Sequence, residues 1–225
     1  NIMGFYRGPN IVTDGLVLAL DAGSERSYSG SGTSADSIVS SNTTTLYNGV
    51  AYSSSNGGFW DLDGTDDYLI TDFGSGLNPT TQDLSYGIWV KPDTTQTAMF
   101  IVQSDWSVTS RFYIGLLSGK LAWGIQERGW GGSDTDLTPA TGEWLYVNVI
   151  FSGTTAKLYA NGVLKATDAI TSYAFNRNLT TGSGQPHESN YYWNGGIAAF
   201  RVYYQELTAA EVLQNFNAQK SRFGL

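Results

Sequence analysis

The sequence predicts an all-β chain, a jelly-roll sandwich of two antiparallel sheets with one short C-terminal helix. Three observations lead there. Short apolar runs recur at close intervals between segments rich in Ser, Thr, Asn and Gly. Glycine supplies 27 of 225 residues and aromatics 14%, a composition suited to many short strands joined by tight turns. No strand–helix–strand alternation occurs, which excludes a parallel sheet.

The elements follow in order. Residues 1–15, punctuated by Gly4, Gly8, Pro9 and Gly15, read as an extended N-terminal arm that contributes little to its own core, and residues 16–225 as a single domain. LVLALD (Leu16 to Asp21) is a buried strand. Ala22 to Asn56 is poor in apolar residues and reads as a long loop with a weak strand around Thr45 to Tyr52. Gly58 to Leu62 enters the turn DGTDD and emerges as YLIT from Tyr68. LSYGIWV (Leu84 to Val90) is closed by Lys91 and Pro92, and AMFIVQ (Ala98 to Gln103) follows. RFYIGLL (Arg111 to Leu117) and KLAWGIQ (Lys120 to Gln126) flank Ser118-Gly119, a two-residue hairpin signal. EWLYVNVIF (Glu143 to Phe151), AKLYA (Ala156 to Ala160) and VLKATD (Val163 to Asp168) are joined by Ser152 to Thr155 and by Asn161-Gly162. NGGIAAFRVYY (Asn194 to Tyr204) is the last strand. Thr208 and Glu211 have the spacing of a capping box, with Leu207 and Val212 placed as its hydrophobic staple, so a helix starts there and Gly224 ends the tail.

Charge and composition exclude several functions. The net charge is −8, and the twelve Lys and Arg are scattered from Arg7 to Arg222 without a run, so nucleic acid is not an expected partner. No apolar stretch approaches the roughly 18 residues of a membrane span, and no basic amphipathic helix offers a membrane surface contact. Cysteine is absent, which removes disulfides, thiolate metal sites and cysteine nucleophiles together. The opening residues lack a basic region followed by an apolar core, so no signal peptide is expected.

Four segments carry a family pattern in the right order. GFWDLDGTDDYLI holds Leu62, Asp63, Gly64, Asp66, Asp67 and Tyr68; LSYGIWVKPD holds Trp89, Val90, Lys91 and Pro92. GEWLYVNVIFSGTTAKLYANG holds Gly142, Trp144, Val147, Leu158, Tyr159, Asn161 and Gly162. NGGIAAFRVYYQELTAAEV holds Gly196, Ile197, Arg201, Val202, Tyr203, Leu207, Thr208, Glu211 and Val212. Over residues 58 to 213 the chain thus resembles the laminin-G-like, concanavalin-A-like jelly rolls. The stretch GFYRGPNIVTDGLVLALDAGSERSYSGSG (residues 4–32) resembles the opening of such domains in virion proteins of marine tailed phages.

Glycosidases on the fold need two acids flanking one bond, about 5–5.5 Å apart when configuration is retained. None of the six glutamates, Glu25, Glu127, Glu143, Glu188, Glu206 and Glu211, has another acid two or four residues away on an expected strand. Asp61 and Asp63 have the spacing but run into the turn. One histidine, His187, leaves no multi-histidine metal site. No enzyme activity is therefore expected.

Many members of the family hold one calcium ion, and the acids at family-like positions are Asp21, Asp63, Asp66 and Asp67. The alternative is that Asp63 and Asp67 cap a turn through backbone N–H groups. The family's closing G-x-I-D-D reads here with Ala198 and Ala199 in place of both acids, and losing two hard ligands argues for a domain without a cofactor.

Sugar binding needs an exposed aromatic face and hydroxyl-binding polar groups. Trp60, Trp89 and Trp144 occupy core positions of the pattern, whereas Trp106, Trp123 and Trp130 are not all explained by it. The loop ERGWGGSDTD offers Arg128, Trp130, Asp134 and Asp136 as a glycan rim, the alternative being a hairpin loop whose tryptophan folds back on the sheet. Gln185, His187, Asn190 and Tyr191 form a second candidate.

The resulting expectation is a non-enzymatic protein on a phage virion surface, a capsid or tail decoration. Its partners are other virion proteins, further copies of itself, and host-surface polysaccharide. A secreted or cell-surface bacterial carbohydrate-binding module, extracellular in location, is the alternative.

Overall fold

The computed structural model describes residues 9–73, 82–104, 111–125, 135–170, 179–183 and 191–225. Among them the chain runs β1 (Leu16–Asp21), β2 (Ser34–Asp36), β3 (Thr43–Tyr47), β4 (Ala51–Ser53), β5 (Phe59–Asp63), β6 (Tyr68–Thr71), β7 (Leu84–Pro92), β8 (Ala98–Ser104), β9 (Arg111–Leu117) and β10 (Lys120–Ile125). It continues with β11 (Leu145–Ser152), β12 (Thr155–Ala160), β13 (Val163–Ala169), β14 (Leu179–Thr181), β15 (Asn194–Tyr203) and the helix α1 (Ala209–Gln219). All pairings are antiparallel. Sheet A has the order β13-β12-β11-β7-β15-β5-β4, with β1 also on β15, and sheet B the order β10-β9-β8-β14-β6-β3-β2.

The expected fold class is thus observed, and alternation explains it. On β7 the inward residues Leu84, Tyr86, Ile88 and Val90 meet Phe100, Phe112 and Trp123 of sheet B in one buried cluster. The outward residue Trp89 belongs instead to a second cluster, with Tyr146, Tyr159, Leu207, Val212 and Phe223, under α1. Each central strand of sheet A is buried on both faces because α1 covers the outer one, and this is why LSYGIWVKP is apolar almost throughout.

The tight turns form as read. Ser118-Gly119 (φ 50° and 80°) and Asn161-Gly162 (φ 49° and 80°) each place two residues in the left-handed region, the requirement of a two-residue hairpin that matches sheet twist. Thr208 caps α1: its hydroxyl accepts from the Glu211 N–H at 3.3 Å, and the Glu211 carboxylate accepts from the Thr208 N–H at 2.7 Å.

Three features differ from the sequence reading. The weak strand around Thr45 to Tyr52 is two strands in different sheets, β3 in B and β4 in A, because Asn48 (φ 64°) and Gly49 (φ 109°) carry the chain across the edge. The three-residue strands β2 and β14 were not foreseen. The arm contributes more than expected: Val12 is buried, its N–H donates to Asn215 Oδ1 at 2.8 Å, and its carbonyl accepts from the Tyr203 hydroxyl at 3.2 Å. Gln214 Nε2 and Gln205 Nε2 donate to the carbonyls of Asn10 and Asp14. Residues 10–14 are therefore fastened to their own domain.

Candidate functional site

The β5–β6 turn builds one part of the site. Asp63 Oδ1 accepts from the N–H groups of Thr65 (2.7 Å) and Asp66 (3.4 Å), and Asp67 Oδ2 accepts from the Asp63 N–H (3.1 Å). This satisfies backbone donors that an Asp-rich turn leaves pointing inward. Asn48 Nδ2 donates to the Asp66 carbonyl and Asn194 Nδ2 to that of Asp63. Around the turn lies a cleft of about 300 Å³ lined by Asn48, Asp61, Asp63, Asp67, Asp93 and Asn194, among others.

Its electrostatics are acidic. Burial raises the Asp67 pKa; the Asp63 N–H opposes this, and the charges of Asp63, Asp66 and Asp61 reinforce it. Burial likewise raises Asp61, with Lys91 opposing and Asp93 reinforcing. Lys91 Nζ stands 3.5 Å from Asp93 Oδ1 and 4.9 Å above the Phe59 ring.

The second part is aromatic. On β3 and β6 the period-2 alternation buries Leu46 and Leu69 and turns Tyr47 and Tyr68 outward. Register sets these two opposite each other, and their rings stack at 4.7 Å with an interplanar angle of 13°. Tyr47 is 36% exposed. The pair adjoins the cleft, since Asn48 follows Tyr47 and Asp67 precedes Tyr68. Burial raises the Tyr68 pKa, with Tyr47, Tyr192 and Asp66 adding to it. Farther along the same outer face of sheet B, Tyr191 packs on Met99 and Tyr113. The signal that could have found this pair is the alternation in TTTLY and YLIT, once their pairing is known.

The residues expected to touch glycan are placed as follows. Arg128, Trp130, Asp134, Gln185, His187 and Asn190 lie outside the described residues. Asp136 is exposed at the β10 edge, 3.9 Å from Lys120 Nζ, in a shallow hollow with Thr135, Leu137 and Lys165. Tyr191 lies on the opposite side of β9, on the sheet B face just described. Asp136 and Tyr191 are not brought into one cluster. Among the tryptophans left open, Trp123 is core: it is 3% exposed, meets Phe151 edge-on, and its Nε1 donates to Asp168 Oδ2 at 3.2 Å. Trp106 lies outside the described residues.

The four acids proposed for a metal do not form one site. Asp63, Asp66 and Asp67 bring carboxylate oxygens within 4.8 Å of one another. Asp21 is elsewhere, and this corrects the sequence reading. It pairs with Ala199 on β15, whereas Asp63 pairs with Asn194, a separation of roughly 16 Å at 3.3 Å per residue. Asp21 Oδ1 and Oδ2 instead accept from Arg222 Nη1 at 2.8 and 3.0 Å. Ala198 and Ala199 are buried in the apolar cluster under α1. Among the described residues Asp21 therefore does not join the other three acids, and two of the three clustered carboxylates already serve the turn.

With this geometry in view, the chain was compared with known proteins. A laminin-G family profile, described as the concanavalin A-like lectin/glucanases superfamily, matches residues 63–213. No curated protein sequence matches significantly. Among solved structures, the binding domain of botulinum neurotoxin serotype D superposes with a TM-score of 0.69 at 16% identity, over 92% of this chain and 52% of that one. The chain thus spans about half the length of that fragment. Domain 4 of AbnA, an extracellular GH43 arabinanase from Geobacillus stearothermophilus in complex with arabinotriose, gives 0.66 at 21% identity, over 90% and 98%. Trypanosoma rangeli sialidase in complex with 2,3-difluorosialic acid gives 0.76 at 10% identity, over 96% and 35%. At these identities the likeness is one of fold.

Proposed function

The chain belongs to the concanavalin A-like lectin/glucanases superfamily, and on that premise we propose that it is a non-catalytic carbohydrate-binding domain. The observation that carries this reading is the exposed Tyr47–Tyr68 stack beside a cleft of amides and carboxylates. The outer ring face of the stacked pair can cover the apolar face of a pyranose, and Asn48, Asn194 and Asp63 offer hydroxyl partners at its edge. The arabinotriose complex of the AbnA domain lends the reading support from a relative in fold. Tyr191 extends the proposed surface along the outer face of sheet B, and Arg128, Trp130, Asp134, Asp136 and His187 are proposed as a separate glycan contact. The domain works without a metal cofactor in this reading.

Display on a phage particle, at capsid or tail, as an oligomer among other virion proteins and facing host-surface polysaccharide, is the finer proposal. It rests on the resemblance of residues 4–32 to the opening of phage virion domains.

A glycan array tests the function, with Tyr47→Ala, Tyr68→Ala and Trp130→Ala in parallel. Loss of one stacking platform is expected to weaken binding about tenfold, since an aromatic stack contributes on the order of 1 kcal/mol or more. Undiminished binding in both tyrosine variants removes the site from this face, and loss in Trp130→Ala alone moves it to the 127–136 loop. One observation favours a second reading, a hydrolase: Asp61 and Asp93 share a cleft, and the Asp61 pKa is raised. Release of reducing ends by the protein, abolished in Asp61→Asn, would establish that reading instead.

A further inference from the structure

The sequence holds four Asn-Gly pairs, Asn48-Gly49, Asn56-Gly57, Asn161-Gly162 and Asn194-Gly195. Glycine has no Cβ to obstruct its own nitrogen, so that nitrogen can reach the carboxamide of a preceding asparagine. The carboxamide must first leave its hydrogen bonds, and the surroundings therefore decide which pair reacts. Three pairs are restrained. Asn56 is held at both ends of its amide: Oδ1 accepts from Trp144 Nε1 and Nδ2 donates to the Arg222 carbonyl, each at 3.2 Å. Asn161 Oδ1 accepts from the Tyr146 N–H at 2.9 Å, and Leu213 and Phe216 close over Gly162. Asn194 Nδ2 donates to the Asp63 carbonyl at 3.1 Å, and Gly195 is buried in sheet A between Leu62 and Pro92.

Asn48-Gly49 differs on each count. Both residues are exposed, in the turn that carries the chain from β3 in sheet B to β4 in sheet A. A Cβ at Gly49 would have no neighbour within 4 Å among the described residues. The Asn48 carboxamide makes one hydrogen bond among those residues, from Nδ2 to the Asp66 carbonyl at 2.8 Å. Asn48 stands at φ 64°, a left-handed conformation that aspartate tolerates as asparagine does. Conversion of one to the other therefore meets no backbone barrier.

We propose that Asn48 is a site of spontaneous deamidation, and that the reaction changes the charge of the cleft beside it. The Gly49 nitrogen, giving up its proton to solvent base, attacks Asn48 Cγ. A new N–Cγ bond closes a succinimide ring, the Cγ–Nδ2 bond breaks, and Nδ2 takes a proton and leaves as ammonia. Water then opens the ring at either carbonyl, leaving an aspartate or an isoaspartate at this position. The product carries a carboxylate where Nδ2 donated, so it meets the Asp66 carbonyl acceptor to acceptor. It also adds a negative charge to a cleft already lined by Asp61, Asp63, Asp67 and Asp93. In the isoaspartate the main chain is one methylene longer directly after Tyr47, next to the aromatic stack. The reaction needs no ligand, and only its consequence for affinity rests on the carbohydrate-binding reading.

The test is peptide mapping by mass spectrometry of the full chain, folded and denatured, after incubation in warm, mildly alkaline buffer. In the folded protein, exchange of amide NH2 for OH is expected at Asn48 several-fold faster than at Asn56, Asn161 or Asn194. Denaturation is expected to bring the four rates together. Asn48→Gln, whose longer side chain closes the ring less readily, is expected to lose the early product. Faster conversion at any of the other three pairs, or none at Asn48 while the denatured chain converts there, overturns the inference. Asn48→Asp mimics the charge and is expected to bind severalfold more weakly than the unsubstituted protein to a glycan that the array identifies. A mimic that binds equally well removes the consequence for the cleft. An array without any bound glycan removes the carbohydrate reading, while the peptide map still decides the modification.

Discussion

Arg222→Ala is expected to be among the more damaging single changes outside the sandwich core, and its cost can be worked from the contacts. The guanidinium makes four hydrogen bonds: two from Nη1 to the Asp21 carboxylate, one from Nη2 to the Gly58 carbonyl at 2.6 Å, and one from Nε to the Asn56 carbonyl at 2.7 Å. The Arg222 and Asp21 side chains are only 19% and 14% exposed, so solvent screening is limited. A charge-assisted hydrogen bond contributes about 1.5–3 kcal/mol, and bonds to one group do not add. Leaving Asp21 half-buried without its counter-charge brings the total to about 3–4 kcal/mol. For a domain of this length that is a Tm loss of roughly 6–16 °C. The assay is urea unfolding followed by tryptophan fluorescence, with Arg222→Ala, Asp21→Asn and the double variant forming a cycle. A coupling near 2 kcal/mol is expected. A cost below about 1 kcal/mol for Arg222→Ala, or a coupling near zero, refutes the view that this clamp fastens the end of the chain to β1.

The remaining expectations concern smaller effects. Thr208→Ala removes one half of the capping box and should cost about 1 kcal/mol in the same denaturation assay; an unchanged midpoint counts against the cap. Asp67 has a raised pKa in the folded protein, so the native state binds a proton more readily than the unfolded one, and its contribution to stability falls as pH rises from the ordinary carboxylate value through the folded one. Asp67→Asn keeps an acceptor for the Asp63 N–H and should flatten the decline of Tm with pH in that window. A steeper decline in the variant contradicts the sign. Millimolar calcium is expected to shift Tm by less than about 1 °C, because Asp21 is held by Arg222 and two of the three clustered carboxylates are spent on the turn. A saturable rise of several degrees, abolished in Asp66→Asn, overturns that.

Much of the fold was legible because it depends on local pattern. The doubly buried strand LSYGIWVKP, the hairpins at Ser118-Gly119 and Asn161-Gly162, and the Thr208–Glu211 box each carry their cause within a few residues. The short strands β2 and β14 do not. SAD and LTT have too few residues to show a period, and they are strands only because neighbours bond to them, β3 alone for β2 and both β6 and β8 for β14. Asp21 misled for the same reason. Its type and place suited a metal ligand, but its partner is 201 residues away, a distance no local pattern spans. The stack of Tyr47 on Tyr68 is not legible in the sequence because only the pairing of β3 with β6 brings the two rings together.

The two sheets use the same chemistry for opposite ends, and what covers them makes the difference. On the outer face of sheet A, Trp89 is stacked against Phe216 at 5.8 Å and Phe223 at 4.2 Å, its Nε1 donates to Gln219, and it is wholly buried. On the outer face of sheet B, Tyr47 and Tyr68 stack on each other, and among the described residues no helix lies over them. The tryptophan's apolar area is committed to holding α1, whereas the tyrosine pair retains surface that a ligand can remove from water. Substitutions on the first face should therefore lower stability and spare binding, and those on the second should do the reverse. A Tyr47→Ala protein with unchanged Tm and lost affinity, set against a Trp89→Phe protein with lowered Tm and intact affinity, is the pattern this division of the two faces requires.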